Sequence, residues 1–274
     1  MEPVSRTPST EDRLLTVGKM LGLGFLGLAV GIVTQIALLL VLIAAGVDVL
    51  DSPLLSVGLS LVSLQGVGLA VVGVLYLRYS GYGLSFVGFR FPTLRDVAWT
   101  VGGFVAMVAV LLAAASVLQA ISSALGVETA ENSIVQTASE DPTVLFLLIP
   151  AAFLIIGPSE ELLFRGIIQG RLREVFGPLA GILIASTIFG FAHLTAFAAT
   201  AGSIASVLIP IGGLTAVSLV LGYTYEKTDN LVVPALIHGA YDALLFSLLY
   251  VTLVYGDELQ AAANNSSGVL AALF

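Results

Sequence analysis

The chain has 274 residues, of which 58% are hydrophobic and 10% charged, and its mean hydropathy is +1.05. A soluble globular domain carries about 25% charged residues, so the composition excludes one and points to an integral membrane protein. The absence of cysteine excludes a disulfide framework and thiol chemistry, and with a net charge of −8 no nucleic-acid partner is expected.

Residues 1–18 read as a polar N-terminal tail. The apolar stretch that follows is too long for a signal-peptide core and is expected to be a first transmembrane helix. A spanning helix takes roughly 20 apolar residues, which predicts spans over 19–47, 54–77, 97–124, 143–168, 178–200, 203–225 and 231–254. These segments are continuous and rich in Leu, Ala and Gly rather than alternating, which favours helices over barrel strands. The expected fold is all-α and polytopic, with about seven transmembrane helices, or eight. Gln35 and Gln65, single polar residues in the first two spans, are expected to hydrogen-bond between helices. The connection 78–96 carries Tyr79, Tyr82, Phe86, Phe89 and Phe91 beside Arg78, Arg90 and Arg95, and reads as interfacial. Asp96 is expected to cap the third helix. Gly102–Gly103 and Gly212–Gly213 suggest close helix packing or kinks, and residues 255–274 form a loosely ordered tail.

All ten Lys and Arg fall on one side of this map. Arg6, Arg13 and Lys19 precede or begin span 1, and Arg78, Arg90 and Arg95 lie between spans 2 and 3. Arg165, Arg171 and Arg173 lie at or beyond the end of span 4, and Lys227 lies between spans 6 and 7. The positive-inside rule then places the N-terminus in the cytoplasm and the C-terminus outside. Acidic residues gather in loops, at Asp48 and Asp51, Glu128 to Asp141, and Asp257 and Glu258. Such loops suit either a chain adapted to high salt, where repulsion is screened, or an ordinary membrane protein with acidic outer loops.

Three polar clusters interrupt the oily segments: Glu160-Glu161-Leu162-Leu163-Phe164-Arg165, Phe189-Gly190-Phe191-Ala192-His193 and His238-Gly239-Ala240-Tyr241-Asp242. They hold both histidines of the chain. Ionisable groups are costly in hydrocarbon, so their presence there marks a candidate functional site. Glu161 and Arg165 are spaced i,i+4 with the acid first, the favourable order for a helical ion pair. That pairing leaves Glu160, about 100° around the helix, without a cation of its own. Phe189 and His193, and His238 and Asp242, each share a helix face, so Asp242 is expected to accept a hydrogen bond from His238 and fix its tautomer. His238 lies about 10 Å into its span and His193 roughly 22 Å into its own. Convergence in the cytoplasmic half therefore needs tilt or a late helix start after Gly177-Pro178. A partly dry carboxylate beside two imidazoles can activate water as a general base.

Glu-Glu-x-x-x-Arg, Phe-x-x-x-His and His-x-x-x-Asp, in this order on successive hydrophobic segments, resemble the CAAX protease and bacteriocin-processing family of intramembrane endopeptidases, the CAAX prenyl proteases among them. The resemblance covers residues of about 140–250, and Gly166 fits it too. It implies a division into N-terminal transmembrane helices over 19–139 and a catalytic region over 140–254. It implies that Glu160 is the general base, with His193 helping to hold the water, and that Glu161 and Arg165 form the supporting pair. His238 and Asp242 would face the tetrahedral intermediate. Where this chain has Asp242 the eukaryotic pattern commonly has Asn, and an ionised Asp cannot donate to an oxyanion. Asp242 must then be protonated, orient His238 or bind a metal. Phe189 would be core or site wall. The family implies either a metal-free mechanism or a divalent metal such as zinc held by Glu160, His193 and His238. Its substrates would be membrane-associated or lipidated proteins or peptides, met among membrane lipids with the site towards the cytoplasm.

Two rivals stand beside this reading. Glu–His–Asp chains also serve transporters and proton relays, and a non-catalytic immunity or binding protein could use the same scaffold. A relay should extend across the bilayer, whereas spans 1–3 carry almost no ionisable group and no inverted repeat is visible.

Overall fold

The computed structural model describes residues 8–271, and among these all regular structure is helical. Helix α1 (Thr10–Ala44) is opened by Ser9, whose hydroxyl accepts the Asp12 amide while Asp12 reaches back to the Ser9 amide. This reciprocal cap starts the helix nine residues before the expected 19. Helix α2 (Pro53–Tyr79) begins at Ser52 and a proline in the first turn. Its middle, Leu61–Val71, runs in wide π-type turns. Asp96 caps α3 (Leu94–Leu125) in a box with Thr93, as expected of it, and also pairs with Arg90 at 2.6 Å. The short α4 (Ser133–Glu140) has no counterpart in the expected spans.

Helix α5 (Val144–Phe176) has π-type turns at Ala152–Ile156 and Leu162–Gln169. Gly177, at φ +80°, then reverses the chain into Pro178, the first residue of α6 (Pro178–Ala192). The fifth expected span, 178–200, is not continuous. The His193 ring takes the Phe189 carbonyl at 2.9 Å, and the His193 amide turns to Gly190 instead, so the helix stops at Ala192. A five-residue turn, α7 (Leu194–Ala198), follows. Helices α8 (Ile204–Thr228) and α9 (Val232–Ala271) complete the fold. The tail expected to be loose continues α9 to Ala271, in keeping with the strong helix formers around Ala261–Ala263. Arg6 and the first residues of the polar tail, and the apolar end beyond 271, lie outside the described residues.

Six of these helices (α1, α2, α3, α5, α8 and the part of α9 to Glu258) are long and apolar enough to cross a membrane, and α6 is a shorter apolar one. The chain is an all-α, multi-pass integral membrane protein. Helix α5 sits at its centre, with Leu163, Ile167, Ile168 and Leu172 fully buried. Large apolar residues such as Phe25, Val33 and Leu40 on α1 and Leu112 and Val117 on α3 face outward, the lipid-side pattern that a soluble protein would avoid.

Three registers fix what lies beside α5. Helix α8 runs parallel to it, bonded at a constant offset of 53 residues: Arg165 to Ser218, Gln169 to Gly222, Arg173 to Glu226. Helix α6 runs antiparallel, with Gly181 against the backbone of Arg173, where a Cβ would come within 2.9 Å. Counting thirteen residues back from Arg173 and on from Gly181 brings Glu160 level with the His193 turn. Helix α9 crosses where both helices carry glycine: a Cβ on Gly157 would lie 2.7 Å from the Ala235 carbonyl, and one on Gly239 2.9 Å from the Phe153 Cα. Bare backbone contact at this crossing sets His238 against the two glutamates.

The connection 78–96 folds over the cation-rich ends of these helices. Val87 is fully buried against Gly166, its carbonyl accepts the Tyr225 hydroxyl at 3.2 Å, and Arg171 bonds Tyr82. Phe89, Phe91 and Leu94 remain exposed, as an interfacial segment requires.

Candidate active site

Glu161 and Arg165 face into the protein from one side of α5. Their ion pair, at 3.0 Å, is fully buried. Arg165 also donates to the Ser218 hydroxyl at 2.7 Å and lies 4.5 Å from the centre of the Phe189 ring. The same Glu161 oxygen accepts from Nδ1 of His238 at 2.8 Å. One carboxylate thus joins α5 to α9 and, through Arg165, to α6 and α8. The tautomer-fixing bond expected from Asp242 therefore comes from Glu161. The carboxylate of Asp242 stands 3.5 Å from the other ring nitrogen, Nε2, too long for a good hydrogen bond.

The two imidazoles are held alike. A carbonyl or an ionised carboxylate can only accept, so Nδ1 of His193 donates to the Phe189 carbonyl and Nδ1 of His238 donates to Glu161. Both rings then present Nε2 to the same atom, Oε2 of Glu160, at 3.9 Å and 3.8 Å. That oxygen is buried and has no hydrogen-bond partner among the described residues. Separations of this size are too long for direct bonds and suit one bridging water. Phe189 packs its ring against His193, His238 and Phe164, with centroids 4.7, 5.9 and 5.1 Å away. It forms one wall of the candidate site.

All seven residues singled out in the sequence thus meet around one point between α5, α6 and α9. Three further residues join them. Gln65, from the wide-turned part of α2, donates to Oε1 of Glu160 at 2.8 Å, and the Ser159 hydroxyl donates to the Gln65 carbonyl oxygen at 2.6 Å. Ser218 completes the coordination of Arg165. Gln65 is the inter-helix hydrogen bond expected of it, but with a site residue as partner, and its isolation in an oily span was the one available signal. Gln35 bonds Ser60 at 3.0 Å, away from the site. Nothing in the spacing marks Ser159 or Ser218.

The donor chemistry of Glu160, His193 and His238 is that of a zinc site, and each imidazole has the Nδ1 partner a metal ligand usually has. The spacing is not. Ligand atoms at about 2.1 Å from a tetrahedral zinc lie about 3.4 Å from one another, against 3.8 and 3.9 Å here. Among the described residues no group of three or more His, Cys, Asp or Glu side chains is arranged to hold a metal ion.

A family model described as type II CAAX prenyl endopeptidase Rce1-like matches residues 142–244. A Bacillus subtilis protein described as uncharacterized protein YpbD is 30% identical over 151 residues, or 55% of this chain and 69% of its own. The chain belongs to the Rce1-like family. No solved structure matches it. Membership makes this an intramembrane protease of CAAX type at the level of the family, with protein or peptide substrates in a membrane setting. All three polar clusters lie inside the Rce1-like stretch, whereas Gln65 lies outside it.

Proposed function

We propose that this chain is an intramembrane endopeptidase that hydrolyses peptide bonds of membrane-associated or lipidated proteins, with Glu160 as the general base. The observation that carries the reading is the buried Glu160 Oε2, unpartnered among the described residues and faced by two imidazole nitrogens at 3.8 and 3.9 Å. A water held there gives one proton to Glu160 and directs the other at Nε2 of His193 while its oxygen attacks the scissile carbonyl carbon. The new C–O bond leaves an oxyanion. Nε2 of His238 donates to it in the doubly protonated ring, whose charge Glu161 balances at Nδ1. Asp242, beside Nε2, balances the same charge and needs no direct contact with the oxyanion. Collapse breaks the C–N bond, and Glu160 returns its proton to the departing amine. No step runs through a metal.

The positive-inside rule assigns the cation-rich end of the bundle to the cytoplasm, and the reading takes substrate to reach the site from that side. Against a proton relay stands the grouping of these charges in one knot rather than along a path.

Proteoliposomes supplied with quenched peptides, among them a prenylated CAAX peptide and unmodified transmembrane peptides, test the reading. Wild type is expected to cleave at least one, and Glu160→Ala and His193→Ala to lose about 100-fold or more, the usual scale of general-base catalysis. Activity is expected to survive chelators, and the purified protein to hold no stoichiometric zinc. Proton flux without cleavage would sink the protease in favour of the relay.

A further inference from the structure

Glu160 has two carboxylate oxygens, and the protein treats them differently. Oε2 faces the imidazoles, while Oε1 accepts from the side-chain amide of Gln65 at 2.8 Å. The orientation of that amide follows from chemistry. An ionised base can only accept, so the nitrogen must face Glu160 and the oxygen must face Ser159, whose hydroxyl then has to donate, here at 2.6 Å. The hydroxyl has one proton, and this contact is shorter than its alternative, the Ile156 carbonyl at 3.1 Å. Ser159, Gln65 and Glu160 thus form a directed chain that leaves α5, crosses to α2 and returns to α5.

We propose that Gln65, oriented by Ser159, is a positioning residue for the general base. Gln65 bonds neither imidazole and lies on the side of Glu160 away from the attacking water; it acts on Glu160 alone. The terminal torsion of a glutamate is broad and nearly two-fold, so an untethered Glu160 would sample orientations in which neither oxygen lies between the two imidazole nitrogens. A hydrogen bond to Oε1 stops that rotation and reserves Oε2 for the water, which is the geometric condition for efficient proton abstraction. The wide π-type turns of Leu61–Val71 bring a residue of α2 into this position, and such turns recur at functional sites. The Ser63 hydroxyl in the same stretch is spent on its own helix, bonding the Leu59 carbonyl at 2.7 Å, so Gln65 is the group from this segment that reaches across. The inference rests on Glu160 being the base.

The test measures kcat, KM and thermal midpoint in proteoliposomes, on whichever peptide of the panel above the wild type cleaves fastest. Gln65→Met keeps the length and apolar bulk of the side chain but removes both hydrogen bonds. It is expected to lower kcat about 10- to 100-fold, with KM within about two-fold, since misplacement of a catalytic group costs on this scale. Gln65→Asn keeps the amide one methylene short and is expected to lose kcat similarly. Ser159→Ala is expected to lose less on its own and nothing further in the Gln65→Met background, because it acts through Gln65. An inter-helix tie without a positioning role would lower the thermal midpoint, leave kcat of the folded protein unchanged and give additive double variants, and that result overturns the proposal. Glu160→Gln separates the two levels. If it stays active, the base reading falls and this inference with it. If it is inactive while Gln65→Met retains wild-type kcat, only the positioning role falls. Should Gln65→Met fail to fold, wild-type kcat in Ser159→Ala overturns the chain.

Discussion

Oε1 of Glu161 accepts from Arg165 at 3.0 Å and from His238 at 2.8 Å, so a single buried oxygen serves both stability and chemistry. The two roles can be separated. Arg165→Met breaks a buried ion pair by removing one partner and leaves Glu161 with His238 alone, a change that costs roughly 3–5 kcal/mol, and a large fall in the thermal midpoint is expected. Replacing both partners by apolar residues, Glu161→Leu with Arg165→Met, removes the charge problem and should restore most of the midpoint. Activity is not expected to return, because Nδ1 of His238 has lost its acceptor; a pair variant that cleaves at the wild-type rate would contradict the role given to Glu161. At this scale the sequence was legible where partners share a helix. The i,i+4 spacing gave the Glu161–Arg165 pair and the shared face of Phe189 and His193. It misassigned the partner of His238, because spacing along α9 pointed to Asp242 while the better acceptor arrived from α5. Gln65 was visible only as one polar residue in an oily span.

The elements owe their placement to glycine and to one histidine. Gly157 and Gly239 let α5 and α9 touch backbone to backbone within one turn of the glutamates and of His238. Gly239→Val would set its Cβ against the Cα of Phe153 and the carbonyl of Ala152, at 2.9 and 3.0 Å, and neither can swing aside as a side-chain end could. The helices must part, at a cost of about 1–3 kcal/mol for overpacking. Cleavage is expected to fall at least 100-fold in protein that still inserts and folds, since His238 moves with α9. Wild-type cleavage in Gly239→Val would show that this crossing does not set the site. The end of α6 carries a similar lesson. Its start at Pro178 was readable from Gly177-Pro178. Its end was not, because the residue that stops it, His193, does so by a side-chain bond to the Phe189 carbonyl that no propensity scale contains.

Across the whole molecule, the cation-rich ends of the helices are gathered on one face. Arg13 lies over Phe176, Arg171 bonds Tyr82, Arg90 donates to the Thr228 carbonyl, and Arg173 pairs with Glu226 and Asp229. Arg165 is the exception. Its place in the sequence groups it with the cations at the helix ends, yet it is buried beside the site. The chain has no cysteine, so single replacements report topology without background. Lys227→Cys is expected to react with an impermeant thiol reagent only from the cytoplasmic side, and Glu140→Cys only from outside. The reverse pattern would turn the protein over. What the sequence determined by itself was the membrane class, the helical architecture, the one-sided cations and the residues of the three clusters. Each of these follows from composition or from spacing along a single helix, where hydrophobicity and 3.6-residue periodicity act locally. Which oxygen of Glu160 faces the imidazoles, which acid holds His238 and that α2 reaches the site through Gln65 follow from the packing of helices against one another. Those facts depend on registers between helices, and registers are set by glycine contacts and buried hydrogen bonds between residues far apart in the chain.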